Sequence, residues 1–138
     1  MSVGLLIISH ATIGQAIFGA CCGVLESNPI RTEVVSIQQD QDPLVASQLI
    51  AQKIKQLDHG DGVLVLTDMY GATPSNIICS MQEHNIAIVT GLNLPMLIRV
   101  MNYPSLTLLE LIDKAISGGR EGIMYCTQDK EHHVTRTG

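Results

Sequence analysis

Residues 4–25 read GLLIISHATIGQAIFGACCGVL, and the stretch changes its period once. From Gly4 to Ile8 the apolar residues follow one another without alternation, the pattern of a strand buried on both faces. From Ala11 onward Ile13, Ala16, Ile17, Ala20, Cys21, Val24 and Leu25 recur at steps of three and four, the spacing of one helix face. A strand is therefore expected over 3–9. The helix after it should end near Ser27, before Asn28-Pro29. Ser9 and His10 stand at the junction. In open α/β folds the carboxyl ends of the strands line the crevice where sites form, so the position of His10 carries weight.

The same alternation continues down the chain. TEVVSIQ at 32–38 reads as a second strand. DQDP then starts a helix, with Asp42 as N-cap and Pro43 at its first position. The apolar face of that helix is Ala46, Leu49, Ile50, Ile54 and Leu57, and HGDG at 59–62 closes it. GVLVLT at 62–67 is a third strand, followed by DMYGATP and a helix over 74–83 with Ile77, Ile78 and Met81 inward. IAIVT at 86–90 is a fourth strand, and GLNLP leads into a short helix through Met101 that places Met96 and Met101 in the core. Ser105 or Thr107 opens the next helix, Thr107 and Glu110 fitting a capping box. Gly118-Gly119 is expected to stop it. GIMYC at 122–126 fits a last, short strand, and the polar residues 128–138 read as a disordered tail. Strands alternating with helices imply an α/β fold: an open, mainly parallel sheet of four strands with helices on both faces. A single domain over 1–127 is expected.

Composition narrows the class. Apolar residues make up 46% of the 138 and charged residues 15%, which suits a packed core and argues against disorder. One Phe and no Trp leave that core aliphatic. A net charge of −5 with no basic run argues against nucleic acid and anionic membranes as partners. No apolar run reaches the roughly 20 residues of a spanning helix, and the first residues lack the charged start of a signal peptide. A cytoplasmic location is expected. Cys21, Cys22, Cys79 and Cys126 match no zinc or redox spacing, His59 and His84 read as solvated, and a metal contact at His132-His133 is disfavoured by their place in a polar tail. No metal and no cofactor are expected. GxxxxGK[ST], GxGxxG and GxSxG are all absent.

If strands one and three are neighbours, His10 and Asp68 meet at one sheet edge. A carboxylate on one imidazole nitrogen fixes the tautomer and leaves the other as a nucleophile or base. GATPSN at 71–76 passes from a glycine turn into a helix start, where backbone N–H groups and the helix dipole suit an anion. Gly71, Ala72, Thr73 and Ser75 are the candidate phosphate-stabilising residues, and His10 and Asp68 the candidate catalytic pair. No Lys or Arg lies between 1 and 30 or between 56 and 98, so a phosphoryl group there would be held only moderately, as suits one that is passed on. Read alone, His10 also fits a strand-end core histidine, Asp68 a cap, and Thr73 and Ser75 simple helix caps.

IISH at 7–10, LVLTDMYGATPSN at 64–76, VTGLNLPML at 89–97 and GGREGI at 118–123 together resemble the mannose-type (mannose/fructose/sorbose) IIA component of the phosphotransferase system. The resemblance covers residues 1–126. It implies a phosphotransferase that takes a phosphoryl group from HPr on His10 and passes it to a IIB protein. It also implies that Asp68 bonds the non-phosphorylated ring nitrogen and that Thr73 is the small hydroxyl residue at the following helix start. A fifth, antiparallel edge strand exchanged within a homodimer is implied too, with GIMYC at that place. Two positions depart from the family pattern, Ala11 where glycine commonly follows the histidine, and Gly71-Ala72 where many members have two glycines. No IIB domain follows in the sequence, so the IIB partner is expected to be a separate protein, or to be absent. Three rivals stand beside this reading. One is a regulatory module whose phosphorylation reports phosphotransferase flux without moving sugar. Another is the phosphotransfer subunit of a dihydroxyacetone kinase, against which the Thr73-Pro74 pair and NLPML count. The third, a receiver phosphorylated on Asp68, lacks the further acidic residues and the strand-end lysine it needs.

Overall fold

The computed structural model describes residues 2–69 and 85–127. These residues form β1 (Gly4–His10), α1 (Ile13–Leu25), β2 (Thr32–Ile37), α2 (Pro43–Leu57), β3 (Val63–Thr67), β4 (Ile86–Thr90), α3 (Leu94–Met101) and α4 (Leu108–Glu121). The four strands are parallel in the order β2-β1-β3-β4, so β1 and β3 are the central pair. The α/β class and the open parallel sheet are those expected. The helix read over 74–83, the 71–75 turn, Cys79, His84 and the tail at 128–138 lie outside the described residues.

Alternate residues of the central strands feed two separate cores. Leu5, Ile7, Leu64 and Leu66 pack with Cys21, Leu97, Val100, Met101 and Leu111 beneath α1, α3 and α4. Leu6, Ile8, Val63 and Val65 pack with Ala46, Ile50, Ile54 and Leu57 of α2 on the opposite face. This is the period of two of a strand read out as two layers. Each fully buried Leu or Ile contributes roughly 1.5–3 kcal/mol relative to exposure, so the central pair supplies a large share of the core's burial. The aliphatic core is as expected, with Met96 and Met101 both buried in it.

Local signals at two helix starts hold. Asp42 accepts a hydrogen bond from the Leu44 N–H with Pro43 in the first turn, and Thr107 and Glu110 form a complete capping box. Two expectations need correction. β1 spans Gly4–His10 and not 3–9, because His10 still pairs with Ile37 of β2. Gly118-Gly119 does not end α4, which continues to Glu121. These glycines are packing positions: a Cβ on Gly118 would meet the Arg99 Cβ at 2.5 Å, and one on Gly119 the Met96 Cε at 2.8 Å. Close approach of α3 and α4 thus overrides the stop signal. Residues 123–127 pair with no strand of the sheet, and Ile123 and Tyr125 are each 78% exposed.

On α1 the buried face is narrower than the apolar stripe. Gly14 and Cys21 are buried, whereas Ile13 and Val24 are exposed. Burial pushes the Cys21 thiol up to about 11, with Cys22 beside it adding to the rise, which suits an inert core thiol. Cys126 is exposed.

Candidate functional site

Parallel pairing brings both ends of the candidate pair to one edge. The register sets Ile8 opposite Thr67, so β1 and β3 release His10 and Asp68 side by side at their carboxyl ends. The Asp68 Oδ2 atom lies 2.9 Å from His10 Nδ1 and accepts the His10 backbone N–H at 3.1 Å. One carboxylate oxygen thus holds both the main chain and the ring of the same residue. The His10 side chain remains 40% exposed while that of Asp68 is only 13% exposed. This is a shielded anchor beneath an accessible ring.

Burial on its own would raise the Asp68 carboxyl. The hydrogen bonds from the His10 ring and backbone N–H, with the electrostatic attraction of His10, outweigh it and hold the group below its ordinary range. Asp68 is therefore ionised at neutral pH and acts as acceptor only, which assigns the proton of a neutral ring to Nδ1. Nε2 is then the ring nitrogen with a free lone pair, and no described residue engages it. The second carboxylate oxygen, Oδ1, is buried without a hydrogen-bond partner among the described residues.

The turn that follows His10 is tightly specified. Ala11 adopts a left-handed backbone (φ 46°) and donates its N–H to the Ile37 carbonyl at 3.1 Å. Such a conformation disfavours a residue with a Cβ and persists only where neighbours fix it. Ser9, fully buried, accepts the Gly14 N–H at 2.7 Å and donates to the His10 carbonyl at 3.3 Å. Sequence reasoning placed Ser9 at this edge without giving it a task; the available signal was a lone hydroxyl inside an aliphatic strand.

A cavity of about 540 Å³ opens beside the ring, lined by His10, Ala11, Ile37, Gln38, Gln39, Gln41 and Pro43. The β2–α2 loop, which supplies Gln38, Gln39 and Gln41, was not singled out from sequence. Met69 (58% exposed) follows Asp68, and Ile13 (45% exposed) begins α1, so exposed apolar side chains adjoin the pair in the chain. No Lys or Arg is among the described residues lining the cavity. Lys53 pairs with Glu33 and Arg99 with Glu121, each away from His10. Thr90 and Gly91, delivered to the same edge by β4, line a different cleft of about 400 Å³ with Ile112, Ile116 and Ile123, two strands over from His10. Gly71, Ala72, Thr73 and Ser75 lie outside the described residues. Among the described residues no group of three or more His, Cys, Asp or Glu is placed to hold a metal. No described helix is long and apolar enough to cross a membrane.

Comparison with known proteins agrees with this architecture. The mannose/sorbose-specific IIA subunit of a phosphotransferase system from Enterococcus faecalis is 21% identical and superimposes with a TM-score of 0.83, over 94% of this chain and 98% of that one. A phosphotransferase-system component EIIA from Streptococcus agalactiae (21% identity, TM-score 0.76) is covered over 96% of its length and 89% of this chain. A IIA protein associated with the fucose utilization operon of Streptococcus pneumoniae (20% identity, TM-score 0.76) is covered over 99%, and this chain over 97%. At these identities the likeness establishes the fold. A family model described as the phosphotransferase-system fructose IIA component matches residues 4–116, from the first residue of β1 into the second half of α4. With most of the chain accounted for by that match, the protein belongs to this family of IIA components, the mannose-type phosphotransferase proteins that act in sugar phosphotransfer.

Proposed function

We propose that this protein is a cytoplasmic phosphocarrier in which His10 Nε2 accepts a phosphoryl group from phosphorylated HPr and passes it to a IIB protein. The observation that carries the reading is the contact between His10 Nδ1 and Asp68 Oδ2 at 2.9 Å, beneath an accessible ring. The Nε2 lone pair attacks phosphorus, a new N–P bond forms, and the donor's N–P bond breaks with its electron pair returning to the donor ring. The Nδ1 proton stays in its hydrogen bond to Asp68 throughout, so the positive charge that develops on the His10 ring is met by a carboxylate already in place. No proton has to be exchanged with water. Onward transfer to IIB reverses these roles, with His10 as the leaving ring. From their sequence, Gly71, Ala72, Thr73 and Ser75 are assigned to steady the transferred group.

Exposed Ile13 and Met69 favour a protein over a small molecule as the phosphoryl donor, because a protein surface can cover them. Incubation with phosphoenolpyruvate, enzyme I and HPr should label the wild type and leave His10→Ala unlabelled. Equal labelling of His10→Ala would end the reading.

A homodimer with exchanged edge strands is proposed on separate grounds. β4 has a neighbour on one side only among the described residues, and the chain leaves α4 through exposed Ile123, Met124 and Tyr125. An open strand edge next to an exposed apolar segment is a pairing surface. Sedimentation should report a dimer; a monomer at high micromolar concentration would contradict the exchange.

A further inference from the structure

We propose that Ser9 is a positioning residue for His10: its hydroxyl clasps the first turn of α1 to the His10–Ala11 peptide and thereby fixes where the imidazole stands. The proposal rests on the reading of His10 as phosphoacceptor. Ser9 is fully buried at the end of a strand whose preceding residues, Leu5 to Ile8, are all buried and aliphatic. A hydroxyl in such a place is unfavourable unless both its donor and its acceptor capacity are used. Here both are. The oxygen accepts the Gly14 N–H at 2.7 Å, and the hydroxyl donates to the His10 carbonyl at 3.3 Å.

The first of these bonds replaces a missing one. Thr12 occupies the N-cap of α1, yet its side chain makes no capping hydrogen bond. The orphan N–H of Gly14 is met instead by a side chain from the strand, which ties helix to strand. The second bond completes a frame around one peptide group. At one end of the His10–Ala11 peptide the carbonyl is held by Ser9, and at the other the Ala11 N–H is held by the Ile37 carbonyl at 3.1 Å. The left-handed Ala11 needs this restraint on both sides. If the peptide turned, the His10 ring and backbone N–H would no longer meet the one Asp68 oxygen that now takes both.

Gly14 belongs to the same device. A Cβ there would sit 2.8 Å from Ser9 Oγ and 2.8 Å from Ile7 Cγ2, so the clasp closes only because that position has no side chain. A plain helix-capping role for Ser9 would stabilise α1 and leave the ring untouched, and the two roles give different results on His10 itself.

The test uses the full chain carrying Ser9→Ala, with Ser9→Thr to keep the hydroxyl. Single-turnover transfer from phosphorylated HPr is followed over a range of HPr concentrations, below the melting temperature of each variant. The His10 Nδ1–H signal is followed by proton NMR. Ser9→Ala should transfer roughly tenfold more slowly at saturating HPr, at an unchanged half-saturating concentration, because the ring and not the docking surface has moved. It should also lose or shift the Nδ1–H signal, and Ser9→Thr should retain both rate and signal. Wild-type rate and signal in folded Ser9→Ala would overturn the proposal, as would a Ser9→Thr protein as slow as Ser9→Ala. If Ser9→Ala does not fold, Ser9→Cys, close in shape and weak in hydrogen bonding, is read the same way. If the wild type accepts no phosphoryl group, the functional reading fails. An Nδ1–H signal unchanged by the substitution would then still overturn the clasp by itself.

Discussion

The two edges of the central sheet carry polar groups to different ends. At the amino edge the Arg31 guanidinium donates to Ser2 Oγ at 2.9 Å, to the Ser2 carbonyl at 3.3 Å and to the Leu57 carbonyl at 2.8 Å. Asp58 there accepts the N–H groups of Gly60 and Gly62, and Gly4 donates to the Gly62 carbonyl. These groups tie chain to chain. At the carboxyl edge a partly exposed imidazole stands over a shielded carboxylate, Ala11 is left-handed, and Asp68 Oδ1 is buried without a partner among the described residues. Both edges hold a buried polar atom without a partner among the described residues, Asp68 Oδ1 at the one and Arg31 Nε and Asp61 Oδ2 at the other, but only the carboxyl edge sets a left-handed alanine beside a reactive ring. Backbone strain of that kind is typical of places where a protein does chemistry.

That contrast predicts effects of different kinds. The largest belongs to Asp68. Asp68→Asn keeps the size of the side chain and removes its charge, so transfer should slow by roughly 10- to 100-fold, the cost typical of losing a carboxylate that orients a metal-binding histidine. The folded state should survive. Transfer at the wild-type rate would take Asp68 out of the mechanism. Arg31→Ala should do the reverse: it should lower stability by about 2 kcal/mol and leave transfer by the folded protein unchanged. Urea unfolding beside a transfer assay reads both, and slowed transfer in folded Arg31→Ala would erase the division between the edges.

The smallest effect is on acid stability. The Asp68 carboxyl titrates below its ordinary value in the folded chain. Its contribution is therefore complete above the unfolded carboxylate pKa and is lost as pH falls through the lower, folded one. Urea midpoints of the wild type should decline more steeply on acidification than those of Asp68→Asn. Parallel declines would contradict the shift.

How much of this was legible in the sequence varies by element. The central strands were, because GLLII and VLVL are aliphatic runs that a parallel sheet requires. So were the starts of α2 and α4, where Asp42 and Thr107 act on backbone within a few residues of themselves. The end of α4 was not: Gly118 and Gly119 carry the local signature of a stop, while their use against Arg99 and Met96 is settled across two helices. The edge strand read into GIMYC pairs with none of the four described strands; in the proposed exchange it would take its partner from a second copy. The His10–Asp68 pair followed from topology, given neighbouring parallel strands. Ser9 was hidden, because a serine before a histidine at a strand end looks the same whether it faces water or seals a turn.

The central claim is that Asp68 occupies Nδ1 and so directs the phosphoryl group to Nε2. Phosphorus-31 NMR of the chain phosphorylated through HPr, with nitrogen-15 in its histidines, tests this most directly. The predicted result is a single phosphohistidine, with phosphorus coupled to Nε2 of His10 and the proton retained on Nδ1. Phosphorus on Nδ1, or on any residue other than His10, would contradict it.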